Sequence, residues 1–289
     1  LANYQTRFYQ LLDYIDEYLD EELSVERLSQ VACLSKYHFH RQFSALLGLS
    51  VSAYISQLRI KRASYQLAFR HHLNVVDIAV ANGYDSAEAF SRAFRRHIGL
   101  SPSSFRAVPN WYPWHDKHYP FKQLRIRKMQ QQNPDYAVKI TEFGGVKVAL
   151  LEHRGAPELL GDSIRRFIEW RKLNQLLPDI SRTFNLVYDD PDTAEPKYYR
   201  FDLCAAINTD VEENEYGIVN RQIPAGRCAL VRHIGSDDAL GEVVNYLYSV
   251  WLEQSGEELR DFPLFFERIR FFPDVPEHEM ITDIYLPLK

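Results

Sequence analysis

LSQVACLSKYHFHRQFSALLGLSVSAY (Leu28–Tyr54) lies over AVANGYDSAEAFSRAFRRHIGLSPSSF (Ala79–Phe105) at an offset of 51, without a gap. Ser35 meets Ser86, Phe39 meets Phe90, Arg41 meets Arg92 and Phe43 meets Phe94, and Gly48-Leu49-Ser50 meets Gly99-Leu100-Ser101. A match of this length predicts one structural unit used twice. Each copy carries the signals of two helices around a tight turn. Ser24 and Asn74 can cap short helices near 25–32 and 75–82, and Ser35 and Ser86 can cap longer second ones. Small Ala32 and Gly83 stand where the chain must turn. Phe39, Phe43 and Leu46/Leu47 recur with helical spacing, as do Phe90, Phe94 and Ile98, so each second helix has a stripe for a core. Gly48 and Gly99 then end the helices in the left-handed conformation.

With the stripes assigned to the core, the opposite faces are left over. One shows Lys36, Tyr37, His40, Arg41 and Ser44; the other shows Ala87, Glu88, Ser91, Arg92 and Arg95. A polar face opposite a buried stripe is ordinarily only solvated. Here the face is short, basic and aromatic, it occurs twice, and an arginine holds the same place both times, which points to DNA. Metal chelation by His38 and His40 fails on geometry, because residues two apart fall on roughly opposite sides of a helix.

These residues resemble the DNA-binding domain of the AraC/XylS family, which has two helix-turn-helix units. The resemblance covers 8–106 and is densest in IAVANGYDSAEAFSRAFRRHIGLSPSSFR (Ile78–Arg106). It implies an all-α domain over 1–108, with units at about 24–48 and 74–99. The segment 52–70, with its stripe of Ile55, Leu58, Ala63 and Leu67, is similar to the family's long joining helix. Such a helix would set two recognition helices in successive major grooves, roughly 34 Å apart. By family position Tyr37, His40, Arg41, Ala87, Glu88, Ala89 and Arg92 read bases. The chemistry agrees, since arginine can pair with guanine, a carboxylate can accept from cytosine, and a small apolar side chain suits the thymine methyl. Lys36, Arg59, Lys61, Arg62, Arg95 and Arg96 are candidates for phosphate contacts without sequence preference.

The charge distribution fits this division. The chain carries a net −5, yet residues 1–128 hold 17 Lys+Arg against 11 Asp+Glu, while residues 129–289 hold 17 against 28. A basic front and an acidic back suggest a polyanion partner for the front alone. The 289 residues are enough for two cores. No apolar run approaches the roughly 18 residues of a membrane span, and no signal-peptide pattern opens the chain. Cys33, Cys204 and Cys228 are too few and scattered for a disulfide framework or zinc cluster, and read as small core residues. The expectation is a reducing, cytoplasmic setting, on the nucleoid, with no membrane partner, no metal and no cofactor.

Residues 109–136, rich in proline and aromatic residues, read as a linker. His115, Asp116 and His118 within it lack a further ligand at fitting spacing. From 137 onward short β-branched runs appear at 146–151, 184–188, 227–233, 265–271 and 281–286, with amphipathic helices near 157–176 and 237–255. A second duplication places VALLEHRGAPELLGDSIRRF (148–167) over CALVRHIGSDDALGEVVNYL (228–247), and FDLCAAI (201–207) answers TDIYLPL (282–288). Two β-α-β-β repeats would form one α+β domain with a concave groove between sheets. His153 and His233 hold equivalent places, which argues for structure over catalysis.

This half, 137–289, resembles the GyrI-like effector-binding domain fused to some regulators. YYRFDLC (198–204), IPAGRCALVRHIGS (223–236) and FFERIRFFP (265–273) carry the likeness. It implies a pocket for small, often cationic or lipophilic ligands, faced by the glutamate of the last motif, here Glu267. From the residues alone, Glu267 is either a pocket acid or a glutamate on a wet strand edge, free or paired with Arg268 or Arg270. Trp170, Tyr188, Tyr199 and Trp251 are aromatic candidates for the groove or for the core. The reading is a non-enzymatic bacterial transcription regulator, with promoter DNA, a small-molecule effector and RNA polymerase as partners. A back half that hydrolyses small molecules or binds another protein is the alternative.

Overall fold

The computed structural model describes residues 4–112, 114, 115 and 136–289. The chain divides into two compact units, residues 1–124 with 272–278, and residues 125–271 with 279–289.

Among its described residues the first unit has helices and no strands. Its described helices are α1 (Tyr4–Glu17), α2 (Val25–Val31), α3 (Lys36–Leu47), α4 (Val51–Phe69), α5 (Val75–Ala81), α6 (Ala87–Ile98) and α7 (Pro102–Ala107). The capping signals act as read: Ser24, Ser35, Ser50, Asn74, Ser86 and Ser101 each accept a backbone N–H with the side chain. Gly48 and Gly99 end α3 and α6 at φ 70° and 89°. Phe39, Phe43 and Leu47 bury against Leu11, Ile15, Leu28 and the start of α4. Phe90, Phe94 and Ile98 are buried in the second copy. α4 belongs to both copies, so Tyr54, Leu58, Ile60, Ala63 and Leu67 are all buried, and its apolar residues run around the helix.

The gapless alignment is corrected at the turns. Cys33, at φ 53°, is the left-handed residue of the first copy, in the place Gly83 (φ 68°) takes in the second. Their amides bond to Gln30 and Val80, so the first helices match at an offset of 50. The second helices match at 51, because the second turn is one residue longer, at Tyr84-Asp85. Ala32 is therefore the buried cap that ends α2, and Cys33 is exposed instead of packed. Cys204 and Cys228 are buried. The helical core also runs past residue 108: Trp111 stacks on Phe69 at 5.7 Å, and Trp114 meets Tyr65 edge-on. Most of the expected linker lies outside the described residues.

The second unit is one eight-stranded antiparallel sheet, where two facing sheets were expected. Its strands are β1 (Lys139–Phe143), β2 (Val146–Arg154), β3 (Thr183–Val187), β4 (Arg200–Ala206), β5 (Ile218–Ile223), β6 (Gly226–Ile234), β7 (Leu264–Arg270) and β8 (Ile281–Pro287). They are ordered β1-β6-β8-β7-β3-β4-β2-β5. The outermost strands are joined to distant ones by two residues only. β1 continues through Gly144-Gly145 into β2, next to the opposite edge, and β5 continues through Pro224-Ala225 into β6. Two residues reach only about 10 Å, so the sheet curls until its edges meet. At that crossing a Cβ on Gly145 would stand 2.9 Å from the Ala225 nitrogen.

Helices cover the outer face. α8 (Leu160–Leu173) buries Phe167 and Trp170 against Ala149, Leu151, Leu203 and Ala205. α9 (Leu240–Tyr246), followed by a π-turn at Leu247–Trp251, buries Val243 and Leu247 against Val231, Phe266 and Ile284. Alternate residues of the same strands, among them Val148, Leu150, Phe184, Phe265 and Tyr285, form the inner cluster. Because both faces of β2 are buried, it reads as an unbroken apolar run.

Candidate DNA-reading face and ligand-sensing face

On α3 the buried stripe leaves Lys36, Tyr37, His40 and Arg41 outside, and Tyr37 is 88% exposed. On α6 Glu88, Arg92, Arg95 and Arg96 are exposed, with Ala87 and Ala89 partly so. Glu88 sits in the first helical turn, where bonds from backbone N–H and Ser86 hold its carboxyl below the ordinary range. Lys36 is 3.1 Å from Glu26.

Three of the phosphate candidates are placed differently. Arg59 points inward: Nε donates to Leu19 O at 2.9 Å, Nη1 to Gly83 O at 3.0 Å and Nη2 to Glu21 O at 2.7 Å. It is a clamp between the loop after α1 and the turn of the second copy, and burial lowers its pKa. Lys61 is only 13% exposed, with its ammonium 3.0 Å from Glu277 in the segment belonging to the same compact unit. Arg62 is half-buried, with its pKa lowered by that burial. Nothing in the sequence marks Arg59 as inward-facing, since its targets are backbone carbonyls from distant turns. Of His115, Asp116 and His118, the last two lie outside the described residues. Among the described residues no three His, Cys, Asp or Glu side chains group as metal ligands, and no single helix is long and apolar enough to cross a membrane.

In the second unit Glu267 lies on the inner face of the curled sheet. Its carboxylate takes a bidentate pair from Arg182, Nε to Oε1 at 2.6 Å and Nη2 to Oε2 at 2.8 Å, and the Tyr285 hydroxyl donates at 3.4 Å. Phe184 stands directly across the ladder from Glu267, and Phe143, Phe265 and Tyr285 interlock beside it. Burial, aided by Glu267, pushes the Tyr285 hydroxyl up to about 12, and the bond to Glu267 raises Arg182 further. Glu267 thus pairs with Arg182, and neither Arg268 nor Arg270 is its partner: these two pair with Asp237 and Glu279.

Of the four aromatic candidates, only Tyr188 shares this face. Its hydroxyl donates to buried Asp202 at 2.8 Å, and the guanidiniums of Arg154 and Arg200 lie over its ring. Trp170 and Trp251 are packed under the helices on the outer face, and Tyr199 stacks on Phe201 there. These three do not face Glu267. His153 and His233 brace equivalent turns, hydrogen-bonding with Ala156 O and Ser236 O, and burial lowers both pKa values.

Residues 136–289 match the GyrI-like small molecule binding domain, and residues 28–107 match a helix-turn-helix domain. The chain belongs to the GyrI-like family, joined to an AraC-type helix-turn-helix domain. It is 39% identical over 152 residues to the probable transcriptional regulator YgiV of Escherichia coli (strain K12), which spans 52% of this chain and 95% of that protein. It is 31% identical over 103 residues to the HTH-type transcriptional activator AarP of Providencia stuartii, 36% of this chain and 76% of that one. The crystal structure of the EcmrR C-terminal domain is similar at 23% identity and a TM-score of 0.45, over 54% of this chain and 99% of that one.

Within this GyrI-like domain the two repeats differ at the inner face. β3 and β7 correspond residue for residue at an offset of 81, so Phe184 answers Phe265, but Leu186 stands where the second repeat has Glu267. Cys204 stands where it has Tyr285. Asp202 answers Asp283, so both repeats bury an acid on this face, but the glutamate and the tyrosine belong to the second repeat only. Arg182, Phe143 and Phe184 were not singled out in the sequence. Strand alternation puts Arg182 and Phe184 on one face, but only the β3–β7 register brings them to Glu267.

Proposed function

We propose that this chain is a ligand-responsive transcription regulator. Its helix-turn-helix domain inserts α3 and α6 into successive major grooves of promoter DNA, and its GyrI-like domain senses a small aromatic cation on the Glu267 face. RNA polymerase is the partner of the DNA-bound form. The observation that carries the DNA reading is the duplicated exposed face: Tyr37, His40 and Arg41 on α3, and Glu88 and Arg92 on α6, each backed by a buried phenylalanine stripe. Support for the sensing reading is a carboxylate set among aromatic rings inside a curled sheet, where a positive charge can gain both ion pairing and cation–π attraction.

Genome-wide footprinting with the purified chain would name its sites. Titration of one such site with and without a panel of aromatic cations then tests the coupling. A cation that changes DNA affinity in the wild type, and does so far less in Glu267→Gln, is the expected result. DNA affinity indifferent to every small molecule that binds the chain would refute the sensing role.

A further inference from the structure

One row of polar side chains crosses the inner face. Glu267 on β7 pairs across the ladder with Asp283 on β8, and Asp283 pairs with Arg232 on β6. Two carboxylates directly opposite one another repel, and both are nearly sealed from water, with side chains 8% and 6% exposed. Each is closed off by an arginine that remains half exposed. Arg182 covers Glu267, and Arg232 covers Asp283 through two bonds of 2.7 Å.

Arg182 does more than neutralise. Its guanidinium lies 4.8 Å above the Phe184 ring and 6.0 Å from that of Phe143. A flat cation, a carboxylate gripped by two parallel N–H bonds, and an aromatic floor are the contacts an aromatic cation would make there. Arg182 precedes the first residue of β3, and its carbonyl accepts from Ala206 N. Its side chain can therefore swing outward while the ladder stays intact.

We propose that Arg182 is a tethered stand-in for the effector, and that the site is selective for flat cations with two parallel N–H donors, an amidinium or guanidinium on an aromatic body. This rests on the reading that the Glu267 face takes an effector. The selectivity follows from what must be replaced. A neutral ligand that displaced Arg182 would leave Glu267 sealed and unpaired, which is costly. A compact ammonium supplies a point charge where the carboxylate is held by a fork. The stand-in also sets a threshold: apparent affinity falls by the fraction of molecules in which Arg182 has left the site.

The test uses benzamidine, an amidinium at neutral pH, and neutral benzamide, titrated calorimetrically into the full chain. Arg182→Ala should bind benzamidinium at least fivefold more tightly than the wild type, with benzamide gaining nothing. Adding Glu267→Gln to Arg182→Ala should abolish the gain. Arg182→Lys, which keeps the charge and loses the fork, should fall between. If Arg182→Ala does not fold, Arg182→Gln serves, with the same direction expected. Equal benzamidinium affinity in wild type and variant would overturn the stand-in while leaving the sensing reading standing. Binding to neither protein, with DNA affinity also indifferent to the wider cation panel, would overturn both.

Discussion

Gly83→Ala tests the Arg59 clamp, with Gly99→Ala as its control. Both glycines have positive φ, 68° and 89°, so each alanine carries the left-handed cost of about 1–2 kcal/mol. A Cβ at Gly99 meets nothing within 4 Å, and that cost is the whole expected effect. A Cβ at Gly83 would stand 2.4 Å from Arg59 Nη2 and 2.6 Å from Cζ, so the guanidinium must leave. It gives up three bonds to backbone carbonyls. Bonds from charged donors are worth about 1.5–3 kcal/mol each, but the freed guanidinium regains water. A net further loss of about 2–4 kcal/mol is reasonable, for a total of about 3–6 kcal/mol. The assay is urea unfolding of the full chain, followed by its helical circular dichroism. In an Arg59→Met background the clamp is already gone, and Gly83→Ala should then cost no more than Gly99→Ala. If the two glycine variants are equally destabilised in the wild-type background, Arg59 is not a clamp.

Arg41→Ala and Arg92→Ala should each weaken specific DNA binding by about 1–3 kcal/mol and relax preference at different base positions, whereas Arg95→Ala should weaken all sequences alike and flatten the salt dependence; titrations of site variants at two salt concentrations separate these outcomes. If α3 and α6 of one chain both read DNA, as proposed, sedimentation should find one molecule on an asymmetric site of about 20 base pairs, and a strict two-chain stoichiometry would contradict the reading. His153 and His233 have folded pKa values lowered by burial, so the unfolded chain takes up more protons as pH falls below about 6.5 and stability drops there. Melting curves from pH 7.5 to 5.5 should show this loss in the wild type, and a shallower one in His153→Gln.

The helical unit was largely legible in the sequence because its information is local. A serine cap, a phenylalanine stripe and a terminal glycine lie within one helix's reach of each other, and they carry both the fold and the outward face. The turns were misaligned by one residue because Ala32 is small enough to suggest a turn, while the left-handed conformation falls on Cys33, a residue with no preference for it. In the sheet, five strands announce themselves by β-branched runs, but β1 and β5 show mixed polar sequence and are held by partners about eighty residues away. The candidate ligand site suffers from the same distance. Glu267 stands out as an acid among aromatic residues, but Arg182 looks like any loop arginine until the register is known. Trp170 and Trp251 resembled pocket residues because a sheet buried on both faces gives no sign of which face an aromatic will join.

The crossing at Gly145 and Ala225 makes the GyrI-like domain a two-fold dimer written on one polypeptide. Residues 139–151 and 218–230 run antiparallel along their length, in unbroken register apart from the kink, so each repeat completes its sheet only by lending an edge to the other. Neither repeat is a closed body by itself, because one alone would present an open row of backbone donors and acceptors, the usual invitation to a second copy. The connection at 207–217 is therefore a tether between two interlocked parts. A protease cut within it should leave fragments that still elute together in gel filtration, as two subunits would.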